Sequence, residues 1–222
     1  MSASCCFCTE LSGRSGDFAS IYPEITKGRF VHQTPGFVVF PSLGQLSPGH
    51  LLIVPRLHVK SFAALPTALR DEAVQVFAWA VSAVERQFSA PVCFEHGSAE
   101  AAESGGCGIV HAHLHVVPAG GTNLALPPSI GRGWRRLSGA PALPPSLLAM
   151  AAEGYFWWRD PKGAAFAEPV QHAPSQFLRR HVAMLLGADT WDWRIGQRQQ
   201  SVPDTLAEFN EFDSLQPGAI TV

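Results

Sequence analysis

Between Gly28 and Pro55 the apolar residues come in short runs separated by turn formers. Phe30-Val31-His32 is followed by Thr34-Pro35-Gly36, then by Phe37-Val38-Val39-Phe40. A loop carrying Pro41, Ser42, Gly44, Ser47, Pro48 and Gly49 leads to His50-Leu51-Leu52-Ile53-Val54, closed by Pro55. Short apolar runs bounded by Gly, Pro and Ser read as strands, so this region predicts a β meander. The period then changes. From Thr67 to Phe88, the residues Val74, Phe77, Ala78, Val81, Val84 and Phe88 recur at helical spacing, with Asp71 and Glu72 near the start. Acidic residues there complement the positive end of a helix dipole, and the pattern predicts a helix across one face of the sheet.

Pro91-Val92-Cys93-Phe94-Glu95-His96 predicts another strand. A loop of small residues, Gly97 to Gly108, then leads into a strand from Ile109 to Val117 that stops at Pro118. The stretch from Gly120 to Ala151 is rich in Gly, Pro, Leu and Ala and predicts a loop with at most one short helix. Tyr155-Phe156-Trp157-Trp158-Arg159 predicts a strand with a turn at Asp160-Pro161-Lys162-Gly163, its aromatic residues serving as core. Ser175 to Leu186 predicts a helix with Ser175 as N-cap, Gly187 as stop and Phe177, Leu178, Val182 and Leu185 on its packed side. The tail beyond Trp193 is expected to be less ordered, and no internal repeat is present.

In a strand successive side chains point to opposite faces. His111, His113 and His115 therefore share one face, while Ala112, Leu114 and Val116 back them on the other. Three imidazoles in a row suit two chemistries. Neutral imidazole is a good metal ligand, but alternate strand residues stand about 6.6–7 Å apart, too far for all three to reach one small ion without distortion. Nucleotidyl or phosphoryl transfer suits them better. A neutral imidazole nitrogen is nucleophilic without an auxiliary base, and its phosphoramidate is labile enough to hydrolyse in a second step. Flanking rings donate hydrogen bonds or a proton to phosphate oxygens. The glycines of Gly105-Gly106-Cys107-Gly108 let backbone N–H groups approach those oxygens closely.

With these residues in view, His111 to Val117 resembles the His-x-His-x-His-x-x signature of the histidine-triad (HIT) family. Gly49-His50-Leu51-Leu52-Ile53-Val54-Pro55 is similar to that family's upstream strand, and Cys5-Cys6-Phe7-Cys8 looks like the opening of many bacterial members. The resemblance implies an α+β fold, a five-stranded antiparallel sheet with packed helices. It covers a HIT-like catalytic domain over residues 1–120, with residues 121–222 as a C-terminal extension packed on it. It further implies a homodimer acting on a small nucleotide such as a dinucleoside polyphosphate. By motif position His113 is the nucleophile, His111 and His115 hold the phosphate and leaving group, and His50 supports them. Nucleotide contacts are expected from Gly106, Cys107, Gly108, Ser42 and His96. Ser42 stands where members often carry an Asp for the ribose, with the Glu95-His96 pair as a substitute. The family's metal-bearing members imply zinc on Cys5, Cys8, His50 and His111, a sensible set of two thiolates and two imidazoles, in which case His111 is structural. No organic cofactor is expected.

Composition narrows the partners. The 222-residue chain is 46% hydrophobic and 15% charged, which fits a globular protein and excludes a disordered one. A net charge of −2 gives no broad basic surface for duplex nucleic acid, so any phosphate site must be local. No run of about eighteen apolar residues marks a membrane span. Cys5, Glu10, Arg14 and Asp17 interrupt the start where a secretory leader would be apolar, so a cytoplasmic protein is expected. Five cysteines, three of them at 5, 6 and 8, do not form a disulfide framework. The leading reading is a nucleotide hydrolase or transferase cleaving at the α-phosphate through a nucleotidyl-histidine. The alternative is a nucleotide-binding regulatory or RNA-processing factor without significant turnover. Changes at Ser42 and Cys107 favour it, and the extension from Pro174 to Arg194 resembles one found in larger HIT-like proteins.

Overall fold

The computed structural model describes residues 5–14, 16–99, 109–138, 152–195 and 201–215. Among them eight strands form one sheet: β1 (His32–Gln33), β2 (Phe37–Pro41), β3 (Leu51–Pro55), β4 (Pro91–Gly97), β5 (Leu114–Pro118), β6 (Arg135–Arg136), β7 (Tyr155–Arg159) and β8 (Ala165–Pro169). Their order is β1-β2-β3-β5-β4-β7-β8-β6, and every pairing is antiparallel. The α+β class is as expected, but the sheet has eight strands rather than five. The aromatic run of β7 pairs along the whole of β4, from Cys93↔Arg159 to Gly97↔Tyr155, and so continues the sheet past residue 120. Hydrogen bonding thereby closes an edge that would otherwise be left open to other chains.

The sheet's two faces bury different things. On one, Phe37, Val39, Leu51, Ile53, Leu114, Val116, Tyr155 and Trp157 form the main core with the helix α3 (Arg70–Gln87). A 3-10 turn, Thr67–Leu69, precedes α3. The buried stripe of α3 is Ala73, Val76, Phe77, Ala80, Ala83 and Val84, so the helix is rotated from the expected register and Val74 and Ala78 face outward. Small alanines let α3 lie close to the sheet while Phe77 fills the space against Trp157, their ring centroids 5.8 Å apart.

Part of the tail after Trp193, expected to be less ordered, is helical. Ser201–Leu215 is a helix, α5, whose Val202, Leu206 and Phe209 recur at helical spacing and join the main core, Phe209 meeting Trp79 and Phe88. Thr205 on α5 accepts hydrogen bonds from the Gly49 N–H and the Gln45 side chain, each at 3.0 Å. Gly49 is required there. Its φ is +87°, and a Cβ would stand 2.5 Å from the Phe88 ring.

The opposite face carries two smaller clusters. Phe7 of α1 (Cys6–Leu11) packs with Val38, Phe40, Leu52 and Val54, whereas Phe18 of the next helix, α2 (Asp17–Ile21), joins the main core. On the other side Leu178, Val182 and Ala183 of α4 (Phe177–Leu186) pack on Phe94, Val117, Phe156 and Trp158. Gly187 ends α4 in the left-handed region as expected, but the cap residue is Gln176 rather than Ser175, and it makes no side-chain cap bond. Its amide instead binds the following loop, donating to Asp192 at 3.1 Å and accepting from the Trp193 N–H at 3.4 Å. No helix among the described residues is long and apolar enough to cross a membrane.

Candidate active site

A cleft opens between those two clusters, over strands β3 and β5. It encloses about 500 Å³ together with its mouth, and its lining includes Phe7, Arg29, Ser42, Leu52, His113, His115 and Arg179. The strand begins at Leu114 rather than at the expected Ile109, yet the alternation carries upstream for two of the three histidines: Ala112, Leu114 and Val116 enter the core under α3 while His113 and His115 line the cleft. His113 is 9% exposed, at the cleft wall rather than sealed in an apolar core.

Each ring nitrogen has an assignable role. His113 Nδ1 lies 2.7 Å from the His111 carbonyl oxygen, which can only accept, so Nδ1 carries the proton and Nε2 keeps a lone pair. The Leu46 N–H donates to His50 Nδ1 at 3.2 Å, and His50 Nε2 lies 2.9 Å from His115 Nδ1. His50 is fully buried, and burial first, with the Arg179 charge, keeps its pKa well below the ordinary value. The neutral ring must then carry its proton on Nε2 and donate it to His115 Nδ1. His115 is likewise held neutral, by burial first and by the nearby Arg179 charge. Its own proton therefore sits on Nε2. One backbone N–H, through two imidazoles, sets His115 as a hydrogen-bond donor beside the lone pair of His113. Phe94 stacks on His115 at 4.4 Å and fixes the ring plane.

His111 belongs to a different site. Its Nε2 donates to the Pro55 carbonyl at 2.7 Å, and its Nδ1 points at Cys5 Sγ (3.5 Å) and Cys8 Sγ (3.6 Å). Both nitrogens are engaged away from the cleft, which corrects its expected phosphate role. His58 Nδ1 lies 3.3 Å from Cys8 Sγ, and the four ligand atoms of Cys5, Cys8, His58 and His111 all fall within 4.8 Å of one another. The expected ligand His50 is not among them. β3 runs antiparallel to β5 with Leu51 opposite Val116 and Ile53 opposite Leu114, so His111 lies toward the Pro55 end. His50 sits at the other end of β3, while His58 follows Pro55. Zinc–sulfur and zinc–nitrogen bonds in a tetrahedron imply S···N edges of about 3.5 Å, which the cluster matches. The bond from His111 Nε2 to a carbonyl is the outer partner that commonly orients a metal-bound histidine. Hydrogen bonds from Cys6 and then His111 also hold the Cys5 thiol well below its ordinary pKa against the effect of burial, which favours the thiolate a metal needs.

Of the expected nucleotide contacts, Ser42 lines the cleft, its hydroxyl donating to the Gly44 carbonyl at 3.4 Å. His96 lies on the same sheet face as His115 but packs edge-on to Phe156 and is not among the residues lining the cleft. Gly106, Cys107 and Gly108 lie outside the described residues. Two arginines also line the cleft: Arg29, which sequence reasoning left out, and Arg179, one of the arginines that follow Ser175. Arg29 makes a bidentate ion pair with Glu10 at 2.7 and 2.8 Å, donates to the Pro41 carbonyl and covers the Phe40 ring. That pair ties α1 to the sheet.

Three buried histidines make folding sensitive to acid. His50 and His115 are depressed as described, and His96 is lowered to about 4, above all by burial. The unfolded chain takes up their protons near pH 6.5 while the folded chain refuses them, so stability is lost as pH falls below 6.5. Glu95 opposes this: burial raises it to about 7, despite hydrogen bonds from Tyr155 and the Phe62 N–H, so its contribution is present below pH 4.5 and lost as pH rises toward 7. Three protons against one leave a net of two. Stability should therefore fall by roughly 2–3 kcal/mol per pH unit near pH 5. Urea melts at pH 5 and 6 measure this, and equal midpoints would refute it.

Comparison with known proteins gives the following. The family model of the HIT domain matches residues 24–121. Similar solved structures include a Hit-like protein involved in cell-cycle regulation from Bartonella henselae, 15% identical, with 53% of this chain and 80% of that one covered and a TM-score of 0.41. A HIT family protein from Bacillus anthracis is 18% identical, with 53% and 74% covered and a TM-score of 0.41. A zinc-bound histidine triad family protein from Mycobacterium smegmatis is 20% identical, with 52% and 74% covered and a TM-score of 0.39. No curated protein matches the chain.

Proposed function

We propose that this chain, a HIT-family protein by its residues 24–121, is a nucleotide hydrolase or transferase that works through a nucleotidyl adduct on His113. The observation that carries the reading is the hydrogen-bond pattern of two rings that line one cleft: His113 Nδ1 on the His111 carbonyl and His115 Nδ1 on His50 Nε2, a pattern that leaves a lone pair to His113 Nε2 and a proton to His115 Nε2. His113 Nε2 attacks the α-phosphorus, forming an N–P bond as the bond from phosphorus to the leaving group breaks. The His113 ring then carries a positive charge, which the His111 carbonyl stabilises through Nδ1–H. His115 Nε2–H donates a hydrogen bond to the phosphoryl or leaving-group oxygen and keeps its proton, and the departing group takes its proton from solvent. Water then attacks phosphorus, the N–P bond breaks and returns its electron pair to Nε2, and the water's proton goes to solvent. In transfer, another acceptor takes the place of water.

Cys5, Cys8, His58 and His111 would hold zinc, which supplies structural coordination outside the cleft. Incubating the protein with mono- and dinucleoside polyphosphates and nucleoside phosphoramidates, with products resolved by chromatography, tests the activity. A nucleoside monophosphate released from at least one substrate is expected. Binding without turnover of any substrate would replace the enzyme with a nucleotide-binding factor.

A further inference from the structure

The candidate nucleophile stands just outside the sheet. Pairing of β5 with β3 begins at Leu114 and with β4 at His115, so neither ladder holds residues 111–113. Their backbone is held instead by the segment from Pro55 to Ala63. The Pro55 carbonyl accepts from the His111 ring and the Val59 carbonyl from the Ala112 N–H, each at 2.7 Å. That segment is anchored in turn from the core. The Phe62 N–H donates to Glu95 Oε1 at 2.8 Å, the Ala63 N–H donates to the Tyr155 hydroxyl at 3.1 Å, and the hydroxyl donates to Glu95 Oε2. Glu95 and Tyr155 are both buried, on the sheet face away from the cleft. Tyr155 belongs to β7, beyond the HIT-matched residues 24–121. Gly97, opposite it in the ladder, leaves room for the ring, since a Cβ there would stand 2.4 Å from it.

We propose that Tyr155 is a positioning residue that acts from the far face of the sheet, through the Val59–Ala63 segment, to set the His113 ring, an inference that rests on His113 being the nucleophile as argued above. With Glu95 it fixes the amides of Phe62 and Ala63, and so the place of the Val59 carbonyl that holds Ala112. The last link is a single peptide unit. The Ala112 N–H held by Val59 and the His111 carbonyl that takes the His113 Nδ1 proton lie in one plane, so tilting one tilts the other. The tautomer of His113, and with it the lone pair on Nε2, follows from that carbonyl. A phenol suits the anchor because its oxygen accepts from Ala63 while its proton goes to Glu95. Without the hydroxyl, a buried amide and a buried carboxylate oxygen each lose a partner and the segment must shift to find others.

The test is Tyr155→Phe in the full-length chain, in zinc-containing buffer, because it keeps the ring and removes only the hydroxyl. Nitrogen NMR spectra of the histidine rings read the effect directly. His113 of the unmutated chain should carry its proton on Nδ1, and Tyr155→Phe should move it toward a mixture of the two tautomers while His50 and His115 stay as they are. With adenosine phosphoramidate as substrate, kcat should fall by about tenfold to 10²-fold, while AMP affinity by calorimetry stays within about threefold. Phe209→Leu is the control. It trims the core where α5 meets Trp79 and Phe88, away from the Tyr155 anchor, and should leave the His113 signal and kcat unchanged. An unchanged His113 signal in Tyr155→Phe would overturn the proposal, as would an equal change in Phe209→Leu, the mark of a merely structural tyrosine. Should Tyr155→Phe melt below the assay temperature, Glu95→Gln replaces it. That variant keeps an acceptor for the Phe62 N–H but can present an N–H to a hydroxyl that needs an acceptor, so the same change at His113 is expected, and its absence rejects the relay. Absence of turnover in the unmutated chain would sink the hydrolase reading alone, because the ring spectra need no catalysis.

Discussion

Replacing His113 by Ala or Asn should abolish turnover, a loss of about 10⁴-fold or more, while nucleotide affinity stays within about tenfold. The asymmetry follows from geometry. Among the rings of this face, His113 alone pairs a place in the cleft with an Nε2 that its other bonds leave as a lone pair. His115 offers a proton there rather than an electron pair, and the nitrogens of His111 face the cysteines and the Pro55 carbonyl. No neighbour can copy the nucleophile. Ala at His115 or His50 should cost less, on the order of 10²-fold to 10⁴-fold, since hydrogen-bond donation and its orientation are lost but attack is still available. A rapidly quenched reaction analysed by mass spectrometry should find the nucleotidyl group on His113. If His113→Ala hydrolyses every cleavable nucleotide at the unmutated rate, water is the nucleophile and the adduct does not exist.

The candidate nucleophile was legible because the alternation of β5 continues upstream of its first residue: His115 and Leu114 follow from the pleat, and the Ala112 N–H bond to the Val59 carbonyl keeps Ala112 and His113 in the same alternation. What needed the third dimension was which end of a strand meets which end of its neighbour. His50 and His58 flank the same strand, and only the antiparallel register of β3 on β5 assigns His58 to the cysteines and His50 to His115. The rotation of α3 has a similar cause: alanines at 73, 80 and 83 carry little apolar signal, yet close approach to the sheet selects them over Val74. A signal for α5 was present in Val202, Leu206 and Phe209, with Pro203 in the first turn where proline is tolerated, but polar neighbours diluted it. Arg179 stood out only as one of two adjacent arginines after Ser175, with nothing to say that it is buried beside the triad strand. Its burial depends on Gly44, 135 residues earlier in the chain.

Removing the metal should act on the cleft from outside it. Cys5 and Cys8 bracket Cys6 and Phe7, which line the cleft, and Phe7 stands edge-on to both His111 and His113 at 5.7 and 5.6 Å. A zinc ion joining α1 to His58 and His111 would thus hold one cleft wall against β5. Cys8→Ser should retain less than about a tenth of an equivalent of zinc by elemental analysis of untagged protein. A site filled at about a thousand times its dissociation constant contributes roughly 4 kcal/mol, so the melting temperature should drop by about 10 °C. Displacing Phe7 from beside His113 should lower kcat/KM by up to about 10²-fold, because attack geometry tolerates little error. Two further variants separate this ligand set from the one expected by motif resemblance. His58→Ala should lose the metal as Cys8→Ser does, whereas His50→Ala should keep it and lose activity instead, since His50 is bonded to His115 and to the Leu46 N–H. Full zinc in His58→Ala together with its loss in His50→Ala would reverse the assignment and place His50 at the metal.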